Sequence, residues 1–260
     1  MSADRTTKTA ALLIIGNEIL SGRTQDANLA FIARELSEIG IRMAEVRIVP
    51  DIEAAIVDAV NALRARYSYV FTTGGIGPTH DDITSASIAK AFGRPFGRNP
   101  EAERRLRAFY PDPAMLNEAR LSMADMPDGV ELIDNPVSAA PGFRIDNVYV
   151  LAGVPKIMQA MVDVLKPGLQ GGAPLASRTV VVLAGEGDIA AALGAIQNDY
   201  PGIDIGSYPF LRRGSFGTSV VFRGTDLAAL EAAVARLETH AAANGLALGD
   251  ADALGALTPM

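Results

Sequence analysis

The sequence predicts an α/β domain, a sheet with parallel strands and helices on both faces, followed by a small α+β module. Three observations predict it. From Ala10 to Phe92, apolar strand-like runs alternate with amphipathic helical stripes, the pattern of a doubly covered sheet. Lys166 to Ala176 carries Pro167, Gly168, Gly171, Gly172 and Pro174, a linker composition. Beyond it a separate β-α-β-β-α order begins.

Ala10–Ile15 is an unbroken apolar run ending at Gly16, as expected of a strand buried on both faces. Leu29, Ile32, Ala33, Leu36 and Ile39 form one helical stripe. Ile41–Val49 reads as a strand. Ile52, Ala55, Ile56, Ala59, Val60 and Leu63 mark a second helix, with Asp51 placed to cap it. Tyr67–Thr72 reads as a strand running into a glycine-rich turn, and a helix is expected from Ile83 to Phe92. Seven prolines between residues 94 and 142 divide that stretch into short helices and loops. Val148–Ala152 is a strand, and Val154, Ile157, Met158, Met161, Val162 and Leu165 share a helix face. In the module, Arg178–Leu183 is a strand, Ile189 to Tyr200 a helix, and Ile203–Phe210 with Thr218–Arg223 a hairpin. Leu227 to Leu237 is the last helix. The expected domains are residues 1–170 and 177–245, with 246–260 a loose tail.

The chain has 260 residues, 30 acidic against 23 basic, and no cysteine. The absence of cysteine excludes a disulfide scaffold, a thiolate zinc finger and a thiol nucleophile. A net charge of −7 argues against a general nucleic-acid partner, which needs a basic surface. The longest apolar run has six residues where a membrane span needs about 20, so no membrane partner is expected and a cytoplasmic protein is. Only His80 and His240 are present, so a multi-histidine zinc site is excluded.

The strongest chemical signal is Thr72 to Thr84, between a buried strand and a helix. Gly74, Gly75 and Gly77 allow close backbone approach to a ligand, and successive amides there can nest an anion at a helix N-terminus. No Gly-Lys-Ser/Thr follows, so it is not a Walker A loop. Asp81 and Asp82 are hard oxygen donors suited to Mg²⁺ or Mn²⁺; equally, one of them can cap the helix at Ile83. The second signal, Gly16-Asn17-Glu18 to Asn28, follows the first strand. Ligands of open α/β sheets sit beyond the carboxyl ends of strands, which brings Glu18 toward Asp82. Asp26 reads as a helix cap. The third signal, Asn135 to Phe143 and then Ala152-Gly153-Val154-Pro155, carries proline and glycine that loops use for structure alone. Gly153 before a helix is a second place for a phosphate. Arg104, Arg105 and Arg107, with Glu101 and Glu103, read as an exposed helix face.

Thr73-Gly74-Gly75-Ile76-Gly77-Pro78-Thr79-His80-Asp81-Asp82-Ile83-Thr84 resembles the signature of the molybdopterin-binding, MoaB/MogA-type domain. Its Gly-Pro-Thr-x-Asp-Asp form is similar to the N-terminal domain of the CinA (competence/damage-inducible) family and to the molybdopterin-binding-like domain of eukaryotic FAD synthases. Ile15–Gly22 with Thr24–Asn28, and Gly153-Val154-Pro155, match further motifs of that subgroup. The resemblance implies a three-layer α/β/α fold, with the second module like the KH-like α+β module of CinA-type proteins. It implies a pocket for a nucleotide or pterin phosphate and cleavage of a pyrophosphate, ADP-ribose or FAD in type, assisted by a divalent cation (Mg, Mn or Co). On these motifs Asp82, Asp81 and Glu18 are the catalytic and metal-binding candidates. Gly16, Asn17, Asn28, Thr73, Gly74, Gly75, Gly77, Pro78, Thr79, Thr84 and Gly153 are the ligand-binding ones. Asn17 departs from the aspartate many relatives carry. Molybdopterin binding with adenylyl transfer, and a non-catalytic binding protein, are the rival readings; a homo-oligomer is compatible with all three. The amidase domain that complete CinA proteins add is not expected in this chain.

Overall fold

The structure is a computed structural model that describes residues 8–250 except 213 and 214. The chain divides into two compact units, Met1–Gly172 and Ala173–Met260.

The first unit opens with β1 (Lys8–Ile15), α1 (Asn17–Leu20), α2 (Asn28–Glu38), β2 (Ile41–Val49), α3 (Glu53–Arg64), β3 (Tyr69–Thr73) and α4 (Thr84–Phe92). An irregular stretch follows, with β4 (Phe96–Arg98), α5 (Pro100–Phe109), α6 (Glu118–Leu121) and β5 (Asp125–Pro127). The unit closes with β6 (Glu131–Ile133), β7 (Gly142–Ile145), β8 (Val148–Leu151) and α7 (Pro155–Leu165). Six strands form one sheet in the order β2-β1-β3-β8-β7-β6. β1 pairs in parallel with β2 and β3, and β3 in parallel with β8.

Alternation along β1 builds the two outer layers. Ala11, Leu13 and Ile15 pack with Ile56, Val60 and Leu63 of α3 and Ile88 of α4. Ala10, Leu12 and Ile14 pack with Ile32 and Leu36 of α2 and Met158 and Val162 of α7. A strand buried on both faces needs apolar residues at every position, which is why the run is unbroken. The sheet is mixed rather than parallel throughout: β7 runs antiparallel to both β8 and β6. The β7–β8 hairpin turns at Asp146, whose φ of 50° is left-handed. On α5, Arg104, Arg105 and Arg107 pair with Glu101 and Glu103 at three- and four-residue spacing, the exposed face the sequence predicts.

The stretch read as a linker is anchored where it leaves this unit. The Tyr69 hydroxyl bonds both the carbonyl and the amide of Gln170, and the Gly172 amide donates to Ile39 and Gly40 carbonyls. A Cβ on Gly171 would lie 1.7 Å from the Ile39 carbonyl oxygen. Gly171→Ala is therefore expected to lower unit stability by about 2 kcal/mol or more. Gly168→Ala, whose Cβ would meet nothing within 4 Å, serves as the thermal-melt control and should leave the transition unmoved.

The second unit contains β9 (Ala176–Val182), α8 (Glu186–Asp199), β10 (Asp204–Arg212), β11 (Ser215–Gly224), α9 (Leu227–Ala243) and β12 (Leu248–Gly249). Its antiparallel sheet has the order β10-β11-β9-β12. Val180, Val182, Val220 and Phe222 of the sheet meet Ile189 and Ile196 of α8 and Leu230, Val234 and Leu237 of α9. The expected loose tail is corrected at its start. Leu248 and Gly249 pair with Val182 and Val181, and the Leu183 amide donates to the Ala247 carbonyl. Residues 251–260 lie outside the described residues.

Candidate functional site

Three parallel strands end side by side, and their first loop residues make a floor of bare backbone. Gly74 follows β3 with φ +100°, and a Cβ there would sit 2.2 Å from the carbonyl oxygen of Ile15 at the end of β1. The Gly74 amide donates to the Leu151 carbonyl of β8 at 3.3 Å. A Cβ on Gly153 would lie 3.0 Å from the Gly74 Cα. Glycine is required here because three chains approach within van der Waals contact of one another. Thr84, buried at the start of α4, braces the loop from below. Its hydroxyl donates to the Gly74 carbonyl and its amide to the Gly75 carbonyl, each at 2.9 Å.

Above the floor lies a cavity of about 550 Å³. Of the sequence candidates, Gly16, Glu18, Gly74, Gly75, Gly77, Pro78, Thr79, Asp81, Asp82 and Gly153 line it. Asn17, Asn28, Thr73 and Thr84 do not, although each abuts a residue that does. The Asn28 amide nitrogen donates to the Gly153 carbonyl at 2.9 Å, while its Oδ1 and the Thr73 hydroxyl are buried without a partner.

Four carboxylates line the cavity: Glu18, Asp51, Asp81 and Asp82. Asp82 accepts from the Thr79 amide at 2.8 Å and faces the Thr79 hydroxyl at 2.5 Å; Asp81 faces the same hydroxyl at 2.6 Å. One hydroxyl has one proton to donate, so it cannot satisfy both carboxylates. The Thr79 hydroxyl, followed by the backbone amide of Asp81 itself, holds the Asp81 carboxyl below the usual carboxylate range. α4 is preceded by Ile83 and has no side-chain cap, so neither aspartate is occupied as a helix cap. The expected cap at Asp51 is also corrected. The residue preceding α3 is Ile52, and the Asp51 carboxylate instead accepts from the Asn17 amide at 2.8 Å. Asp26 lies one residue outside the cap position read for it: Ala27 precedes α2 without a side-chain cap, and the Asp26 carboxylate accepts from the Leu29 amide in the first turn. Glu18 folds back over Gly16, where a Cβ would lie 2.5 Å from its carboxylate oxygens.

Among the described residues no three histidine, aspartate or glutamate side chains converge to hold an ion. The four carboxylates share the cavity without forming a ready-made cage. No lysine, arginine or histidine is among its described lining residues.

Sequence reasoning missed Asp51, Thr24 and Met123 as lining residues, and treated the Asn135 loop as punctuation. The Asn135 side chain ties that loop together, donating to the Ser138 hydroxyl and the Ala140 carbonyl and accepting from the Val137 and Ser138 amides. Asn135, Ser138 and Ala140 thereby form one cavity wall. The signal for Asp51 was available: it follows β2 at the same carboxyl edge as Glu18 follows β1 and Asp82 follows β3.

Residues 11–171 match the family model described as "Probable molybdopterin binding domain". The chain belongs to this molybdopterin-binding domain family. Residues 174–247, in the second unit, match the model described as the FAD synthase middle domain. A protein of Pyrobaculum calidifontis is 35% identical over 211 residues, covering 77% of this chain and 80% of the relative. The "Probable FAD synthase" of Caenorhabditis elegans is 31% identical over 255 residues. That match covers 88% of this chain and 49% of the relative, so the chain spans about half of that synthase. Among solved structures, the CinA protein of Thermoplasma acidophilum superposes with a TM-score of 0.57 at 33% identity. It covers 62% of this chain and 98% of its own. The molybdopterin-binding domain thus accounts for the unit that holds the cavity. Among the described residues no helix is long and apolar enough to cross a membrane.

Proposed function

We propose that the cavity binds a nucleotide or pterin phosphate and, with a divalent cation, hydrolyses the pyrophosphate of an ADP-ribose- or FAD-type nucleotide. One observation carries the reading: a backbone cradle open enough for phosphate is lined by four carboxylates and by no described basic side chain. Such a lining repels a bare phosphate and accepts one that arrives with a hard cation. In this reading the amides of Gly75 to Gly77 orient phosphate oxygens, and Asp81, Asp82, Glu18 and Asp51 hold the cation. The Thr79 amide fixes Asp82, the Thr79 hydroxyl serves one aspartate at a time, and Asp81 stays ionised well below neutral pH. A bound cation would neutralise charge developing on the phosphate and activate water. The carboxylate cage closes only with the ligand, in keeping with the absence of a preformed triad.

The family's description favours a second reading, binding of molybdopterin, to which the sequence resemblance adds adenylyl transfer. Isothermal titration separates the readings. Mn²⁺ and ADP-ribose should each strengthen the other's binding by about tenfold or more, and AMP should accumulate on incubation. ADP-ribose affinity indifferent to Mn²⁺ would exclude the cation-assisted reading. Tight pterin phosphate binding without nucleotide binding would favour the second reading, and mutual strengthening with no AMP a binding protein.

A further inference from the structure

We propose that Arg23 and Lys156 form an anion clamp at the mouth of this pocket, taking the phosphate of a pyrophosphate ligand that the carboxylates do not face. The inference rests on reading the pocket as a phosphate site.

The described basic side chains of the first unit are almost all engaged. Arg47 and Arg66 pair with Glu45, Lys90 with Glu53, Arg98 with Asp125, and Lys166 with Glu35 and Glu38. Arg64 bonds Asn61 and lies over Phe92. Arg23 and Lys156 are exposed and make no side-chain hydrogen bond, ion pair or ring contact among the described residues. Both are next to pocket lining: Arg23 precedes Thr24, and Lys156 lies between Pro155 and Ile157. The other two cations without such contacts lie elsewhere, Lys8 at the opposite end of β1 and Arg94 just beyond α4.

Each is also placed where stability does not ask for it. Lys156 is in the first turn of α7, where a positive charge opposes the helix dipole and no acidic residue shares the turn. Arg23 stands on an exposed loop after Gly22, whose φ is +72° and whose surroundings are open. The Thr24 amide ties that loop to the Glu18 carbonyl at 3.1 Å, next to the acid wall. A lining with four carboxylates and two exposed cations adjacent in sequence to it fits a ligand with two linked phosphates. One phosphate is held through a cation, the other by guanidinium and ammonium directly. The ligand class is therefore a nucleoside diphosphate derivative rather than a monophosphate.

The test is titration of ADP-ribose and AMP, at saturating Mn²⁺, into the full chain and its Arg23→Gln, Lys156→Gln and double variants. Each single change should weaken ADP-ribose binding by about tenfold and the double by about a hundredfold, with AMP affected less than about threefold. Lys156→Glu should weaken ADP-ribose further while raising the melting temperature, because an acid suits that helix end; a purely structural role moves the two in the same direction. A double variant that binds ADP-ribose like the parent overturns the clamp and leaves the pocket reading standing. A parent that binds neither nucleotide overturns both.

Discussion

Asp82→Asn is expected to lower ADP-ribose hydrolysis by about a hundredfold or more, equivalent to about 2.7 kcal/mol of barrier. Stability should change by about 1 kcal/mol or less. The asparagine carbonyl can still accept from the Thr79 amide, so the loop keeps its shape. What disappears is the charge that a hard cation needs. The substitution also removes one of two carboxylates competing for the Thr79 hydroxyl, which offsets part of any loss. Rates measured across a Mn²⁺ series, beside thermal melts, check it. Equal rates for parent and variant at saturating Mn²⁺ and nucleotide would remove Asp82 from the cation site.

Gly74→Ala is expected to cost about 3 kcal/mol or more and to abolish ligand binding. The added Cβ would stand 2.2 Å from the Ile15 carbonyl, and φ is +100°. Relief requires β1 and β3 to separate at the ends where they form the cavity floor. Gly22→Ala is the matched control, with φ +72° and nothing within 4 Å of its Cβ. It bears only the left-handed backbone cost, about 1 kcal/mol. Similar chemical-denaturation midpoints for the two variants would show that the close approach at Gly74 is not holding the floor.

The legible parts of this molecule are those with a local signature. The apolar run of β1 and the stripes of α2, α3 and α7 dictated a double-sided sheet, and the Gly74-Gly75-Ile76-Gly77 cluster marked the loop that shapes the cavity. β6 and β7, of three and four residues, are too short for periodicity to register, although Asp146-Asn147 between apolar neighbours was a turn signal. β12 has two residues and exists only because β9 offers it an edge. Asp51 was misread because helix capping is a local explanation and its role depends on Asn17, 34 residues away. Gly171 was read as freedom, and it is a glycine because the Ile39 carbonyl leaves no room for anything else.

The place of β1 between β2 and β3 has a consequence for biosynthesis. The cavity draws its lining from Ile15 to Ile157, and β3, beside β1, completes its own pairing only with β8. During translation β1 therefore leaves the ribosome long before its site exists, an interval on the order of ten seconds at ordinary elongation rates. Through that interval α2, α3 and α4 can already cover its apolar faces but α7 cannot, and no ligand can hold the nascent chain. Ligand binding stabilises the finished unit as a whole, because every segment of the floor must be present before the ligand can bind. Starving a cell of the ligand should thus shorten the lifetime of mature molecules while leaving the yield of newly folded ones unchanged.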